Sequence, residues 1–177
     1  MARPKKPFGR RAFLGAGLSA AGLAAACGAS RVSSEWRFFT AGEGRLVEAI
    51  CEQLIPADQD PGAREARVAN FIDLQLMRSF RKHQRAYRRG LASADAAARK
   101  QFGKLFVELP PQQQAAVLAE FEKSNRPFFD LILTHARQGF YGDPRHGGNR
   151  NMVSWKMLNL PFPPVRGRQQ AEGPKAG

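Results

Sequence analysis

From residue 40 onward, apolar side chains recur every third or fourth position, the spacing of a helix with one buried face. Thr40-Ala-Gly-Glu43 has the form of a capping box, in which hydroxyl and carboxylate satisfy free amides of a first turn. Leu46, Val47, Ile50 and Leu54 follow as its stripe, and Pro56 ends the helix by pushing Ile55 out of the helical region. After the turn-rich loop PADQDPGA, a second helix is expected from about Arg64 to Phe80 on Val68, Phe71, Ile72, Gln75, Leu76 and Phe80, with Arg and Asp residues on its other side. A third, from about His83 to Phe102, aligns Tyr87, Leu91, Ala94 and Ala98; Gly90 weakens its middle by about 1 kcal/mol relative to Ala. A fourth begins at Pro110-Pro111 and presents Val117, Leu118 and Phe121. A fifth begins near Pro127 with two stripes, one of Phe128, Leu131, Ile132 and His135, the other of Phe129, Leu133 and Phe140. A helix apolar on two sides belongs at the centre of a bundle. With no run of alternating β-branched residues, the expected fold class is all-α: a small helical bundle spanning 40–139.

The pattern changes at residue 140. Residues 140–168 show no sustained period and are rich in Gly and Pro, yet carry Phe140, Tyr141, Met152, Trp155, Met157, Leu158, Leu160 and Phe162. That is too apolar for a disordered tail, the reading kept for residues 169–177. Such a segment either wraps over its own bundle or lies against another protein, and aromatic, Met and Arg enrichment is the composition of an interface core. Phe140, Tyr141, Arg145, Arg150, Trp155, Met157 and Leu158 are the candidate partner-docking residues, with Trp155 as anchor.

The N-terminus follows another rule. MARPKKPFGRR is basic, and residues 12–26 form a mild apolar run of 15 residues rich in Ala and Gly. A spanning helix needs about 20 predominantly apolar residues, so this run reads as the core of a signal peptide. Arg10 and Arg11, followed by Phe13 and Leu14, look like a twin-arginine export signal, the address of a route that carries folded proteins. Gly9 stands where Ser or Thr is commoner, and Gly15 where Lys is frequent. The run closes on AAAC, which permits ordinary cleavage after small residues or lipidation of Cys27. The signal is assigned to residues 1–27 and a short polar linker to 28–39.

The chain carries 28 basic and 15 acidic residues, a net charge of +13. An excess of this kind points towards nucleic acid, but an export signal and the lack of an aromatic-interleaved basic platform argue against that partner. A solvated Arg-rich face, or a dock for an acidic protein, is expected instead.

Candidate chemistry is sparse. His83, His135 and His146 are the histidines. His135 lies on an apolar helix face, the setting of a hydrogen-bonded core histidine. His146 stands in PRHGGNRN, which suits either an anion site built from amides and arginines or a turn held by Asp143 and Asn side chains. No zinc-ligand spacing is visible. Asp58 and Asp60 read as turn formers. Without GxGxxG or CxxCH, neither a dinucleotide fold nor an attached c-type haem is expected in this chain. Cys51, the remaining thiol if Cys27 is removed or lipidated, is either buried as a small hydrophobe or paired between chains.

The segment HxxQGFYGDPRHGGNRNxVSWxMLxLPxPxVRGR, His135 through Arg168, resembles the gluconate 2-dehydrogenase subunit 3 family. So do AICEQLIPAD (49–58) and ANFIDLQL (69–76). The resemblance implies a non-catalytic small subunit of a periplasmic, membrane-associated sugar or sugar-acid dehydrogenase. Its partners would be a large FAD-containing subunit, a multihaem cytochrome c subunit and the twin-arginine translocase, with FAD and haem in the partners. The large subunit would leave the cytoplasm folded, bound to the chain that carries the arginines. Two other readings stay open: a transient periplasmic assembly factor, and a free-standing metal- or anion-binding protein using His135 and His146.

Overall fold

The computed structural model describes residues 36–160, and the twin-arginine motif, Cys27 and everything after Leu160 lie outside the described residues. Within them are α1 (Ala41–Leu54), α2 (Val68–Leu76), α3 (Gln84–Phe102), α4 (Pro111–Ser124), α5 (Arg126–Tyr141) and α6 (Val153–Met157). Four single 3-10 turns, Arg81–His83, Phe106–Glu108, Pro144–His146 and Arg150–Met152, join them, and no strand occurs among the described residues. The fold is the all-α bundle that the periodicity predicts.

Local chemistry sets the helix ends. The Thr40 hydroxyl accepts from the Glu43 amide at 3.3 Å, and the Glu43 carboxylate accepts from the Thr40 amide at 2.9 Å, so the capping box is closed. Ile55 leaves the helical region ahead of Pro56. Gly103, at φ 72, supplies the left-handed residue that stops α3, its amide bonded to the Arg99 carbonyl. α4 has proline at its first position and α5 at its second, where a missing N–H costs no helical hydrogen bond.

α5 packs against α1, α2, α3, α4 and α6, which explains its two apolar stripes. Its own Phe140 is fully buried, as are Tyr87, Phe106, Ile50, Ile72 and Leu76 on other elements. Gly90 has a packing reason: a Cβ there would stand 2.3 Å from the buried Phe128 ring. The helix propensity lost at Gly90 therefore lets α3 and α5 approach.

The sequence reading needs correction in two places here. α2 is shorter than the expected 64–80. Arg67 takes a left-handed conformation at φ 53, closing a separate turn in which the Val68 amide bonds the Ala63 carbonyl. At the other end the Phe80 amide reaches back to the Gln75 carbonyl, a wide turn that stops the helix.

The second correction is that residues 36–39 are not linker. Trp36 and Phe39 are buried, and Trp36 lies over Gly44, where a Cβ would be 2.1 Å from the indole. The carboxylate of Asp73, itself buried on α2, accepts from the amides of Arg37 (2.7 Å), Phe38 (2.9 Å) and Phe39 (2.9 Å). A buried carboxylate is tolerable when several donors surround it. Arg88 completes this corner: it pairs with Glu43, donates to the Phe38 carbonyl at 2.8 Å and lies 4.3 Å above the Phe38 ring. Burial alone would raise the Glu43 pKa, but the bonds from Arg88 and Thr40 outweigh it and hold the carboxyl below its usual range.

Candidate functional site

The segment after α5 folds back on the bundle. Gly148 meets Gly139 of α5 so closely that a Cβ would lie 2.2 Å from the Gly139 carbonyl oxygen. Gly147, at φ 99, passes beside Leu74 and Phe71 of α2. Asn149 is fully buried and left-handed (φ 43), a conformation that Asn tolerates better than most residues. Its amide nitrogen donates to the Gly142 carbonyl at 2.9 Å, and its oxygen accepts from the Ser154 amide at 3.1 Å. Two further ties reach α2 and the turn before it. The Arg150 amide donates to the Ala66 carbonyl at 3.1 Å, and the Gln75 side chain donates to the His146 carbonyl at 3.2 Å.

The expected docking residues therefore divide. Phe140 is 2% exposed and belongs to the core, so its assignment to a docking surface is corrected. It falls on the last inward-facing turn of α5, which runs on to Tyr141. Trp155 is half-buried, and its indole N–H donates to the Tyr141 carbonyl at 2.9 Å, bracing the segment against the end of α5. Met157 is half-buried against the core. Arg145 is tied to Asp143 at 2.6 Å, and that bond, with the Arg145 amide, holds the Asp143 carboxyl below its usual range. The Arg150 side chain is exposed.

What faces outward is an apolar group formed by Tyr141 (47% exposed), Met152 (38%), Leu158 (50%) and Leu160 (50%). Tyr141 and Trp155 are joined by their hydrogen bond, while Leu158 and Leu160 follow in the turn that closes α6, with the Leu160 amide on the Trp155 carbonyl. Asn151 and Met152 both take left-handed conformations (φ 57 each), so the backbone of this knuckle is strained.

Of the titratable groups elsewhere, His135 and Cys51 are turned inward. His135 lies buried between Phe80, stacked at 3.8 Å, and Tyr87, whose hydroxyl shares a 2.9 Å hydrogen bond with Nδ1. Burial, with a smaller effect of the neighbouring His83, lowers its pKa to about 4. Burial, reinforced by Glu48 and Glu52, pushes the Cys51 thiol far above its ordinary range, which disfavours the reactive thiolate. His146 sits exposed on a turn capped by Asp143, whose carboxylate accepts from the Arg145 amide at 2.9 Å. Asp58 accepts from the Asp60 amide at 2.9 Å, a turn as expected. No group of three His, Cys, Asp or Glu suited to a metal occurs among the described residues.

Sequence reasoning missed the partners of Asp73 and the pairing of Tyr87 with His135, whereas the turn expected to be held by Asp143 and Asn side chains is present, with Asn149 buried in it. The Asp residues of the second helix were expected on its outer side with the arginines; Asp73 instead turns inward, because the amides of Arg37, Phe38 and Phe39 supply its partners.

The arrangement is a helical scaffold with His135 and Cys51 buried in it and an apolar knuckle exposed on it. The family model for gluconate 2-dehydrogenase subunit 3 matches residues 41–161, and the chain belongs to that family. No curated protein and no solved structure gives a significant match.

Proposed function

We propose that this chain is a non-catalytic small subunit of a periplasmic, membrane-associated gluconate 2-dehydrogenase-like complex, and that it takes an FAD-containing large subunit through the twin-arginine route. Family membership carries the reading. It is supported by Arg10 and Arg11 ahead of a short apolar run, and by the commitment of His135 and Cys51 to the interior. The FAD belongs to the large subunit, and c-type haem to a cytochrome subunit that passes electrons onward. The knuckle of Tyr141, Met152, Leu158 and Leu160 is the surface on which the large subunit docks, with Arg150 beside it for charge-assisted contacts.

The test replaces Arg10 and Arg11 by Lys and follows both proteins by fractionation. Both are expected to accumulate in the cytoplasm. A flavoprotein that still reaches the periplasm in this variant overturns the shared-export reading. Stoichiometric co-purification from the wild type distinguishes a resident subunit from an assembly factor that departs.

A further inference from the structure

The α2–α3 corner carries charge that neither the fold nor the docking knuckle uses. Six of the twelve residues from Arg78 to Arg89 are Arg or Lys, and no acid occurs between Asp73 and Asp95. All six are exposed. Arg88 is structural, held by Glu43 and Phe38. The side chains of Arg78, Arg81, Lys82, Arg85 and Arg89 make no ion pair among the described residues. Along α3 the buried positions Tyr87, Leu91, Ala94 and Ala98 occupy one face, and Arg85, Arg89, Arg99 and Lys100 lie exposed on another. At the corner itself stands Met77, 49% exposed.

We infer that this corner binds the surface of a bilayer containing anionic phospholipids, with Arg78, Arg81, Lys82, Arg85 and Arg89 over the phosphates and Met77 entering the headgroup boundary. Clusters of four to eight cations on an amphipathic element are the pattern of anionic-lipid binding, and a neighbouring apolar side chain adds buried area. An acidic protein face is the rival occupant. The bilayer fits better because the run lacks interleaved carboxylates or amides to fix one register, Gln84 being turned to the Leu76 carbonyl. Headgroups that diffuse laterally need no register. The inference stands apart from the export reading, since it concerns the folded chain and lipid alone.

The experiment is vesicle co-sedimentation of the full chain, with phosphatidylcholine alone and with phosphatidylcholine mixed with phosphatidylglycerol. Wild type should sediment with the mixed vesicles and be released by added salt. The variant Arg81→Gln/Lys82→Gln/Arg85→Gln/Arg89→Gln should bind at least ~10-fold more weakly, and Met77→Ser should bind more weakly than wild type. Both proteins carry the same basic leader, so its contribution cancels in the comparison. Circular dichroism checks folding, and Arg81→Gln/Arg85→Gln serves if the fourfold variant does not fold. Equal sedimentation of variant and wild type overturns the proposal. So does a variant that keeps its vesicle binding but loses the co-purifying flavoprotein, which would make the corner a protein interface.

Discussion

Gly148 and Gly139 meet backbone to backbone, and a Cβ on Gly148 would stand 2.2 Å from the Gly139 carbonyl oxygen. Neither atom sits at the end of a flexible side chain, so neither can swing aside. Gly148→Ala should therefore lift residues 142–157 off α2 and α5 and lower stability by about 1–3 kcal/mol. Thermal unfolding measures the loss. Faster tryptic cleavage at Arg145 and Arg150 locates it, and an unchanged cleavage rate would contradict the close contact.

Asp73→Ala removes the acceptor for three amides at once. Leaving a buried donor unpaired costs about 1–3 kcal/mol, and of the three only the Phe39 bond is fully buried. A loss of about 2–3 kcal/mol in denaturant unfolding is expected, together with faster hydrogen exchange at Arg37, Phe38 and Phe39. Asp73→Asn keeps one acceptor oxygen and should lose less.

His135 makes stability depend on pH. Its pKa falls from an ordinary 6.5 to about 4 on folding, chiefly through burial. Between those values the unfolded chain binds the proton that the folded chain refuses, so stability rises with pH across this window. The contribution is complete above about pH 6.5 and is lost as pH falls towards 4, by about 3 kcal/mol at most. His135→Gln keeps a partner for Tyr87 but does not titrate. Denaturant midpoints from pH 4 to 7 should therefore be flatter in this variant than in wild type.

Leu158→Asp separates docking from folding. Leu158 is half exposed, so the substitution should leave the melting temperature nearly unchanged. Co-purification of the large subunit should fall at least tenfold if the knuckle is its dock. Trp155→Ala is a poorer probe, because its indole also braces the chain's own Tyr141 carbonyl.

Helices were legible from the sequence where one face was apolar and a cap or proline marked the end, as at Thr40, Pro56 and Pro111. The end of α2 was not, because Arg67 and Phe80 obey turns that carry no distinctive residue. Residues 36–39 read as linker because their anchor, Asp73, lies more than thirty positions away. The part of the segment from Gly142 to Leu160 was recognisable as ordered from its apolar content. Which of its side chains turn inward was hidden, since Gly148 acts through a close backbone contact and Asn149 through side-chain bonds to the backbone, neither of which leaves a periodic trace. Phe140 was misassigned to this segment for a related reason: α5 continues two residues beyond the expected boundary at 139, as far as Tyr141.

The clasp of Asp73 on residues 37–39 also has a mechanical consequence. A pull on the chain ahead of Trp36 does not first meet α1, which would peel away one turn at a time. It meets three parallel bonds to a carboxylate on α2, with the Trp36 ring wedged over Gly44. Those bonds would have to break together, so tension from the N-terminal side is shared with the second helix before the first can unravel.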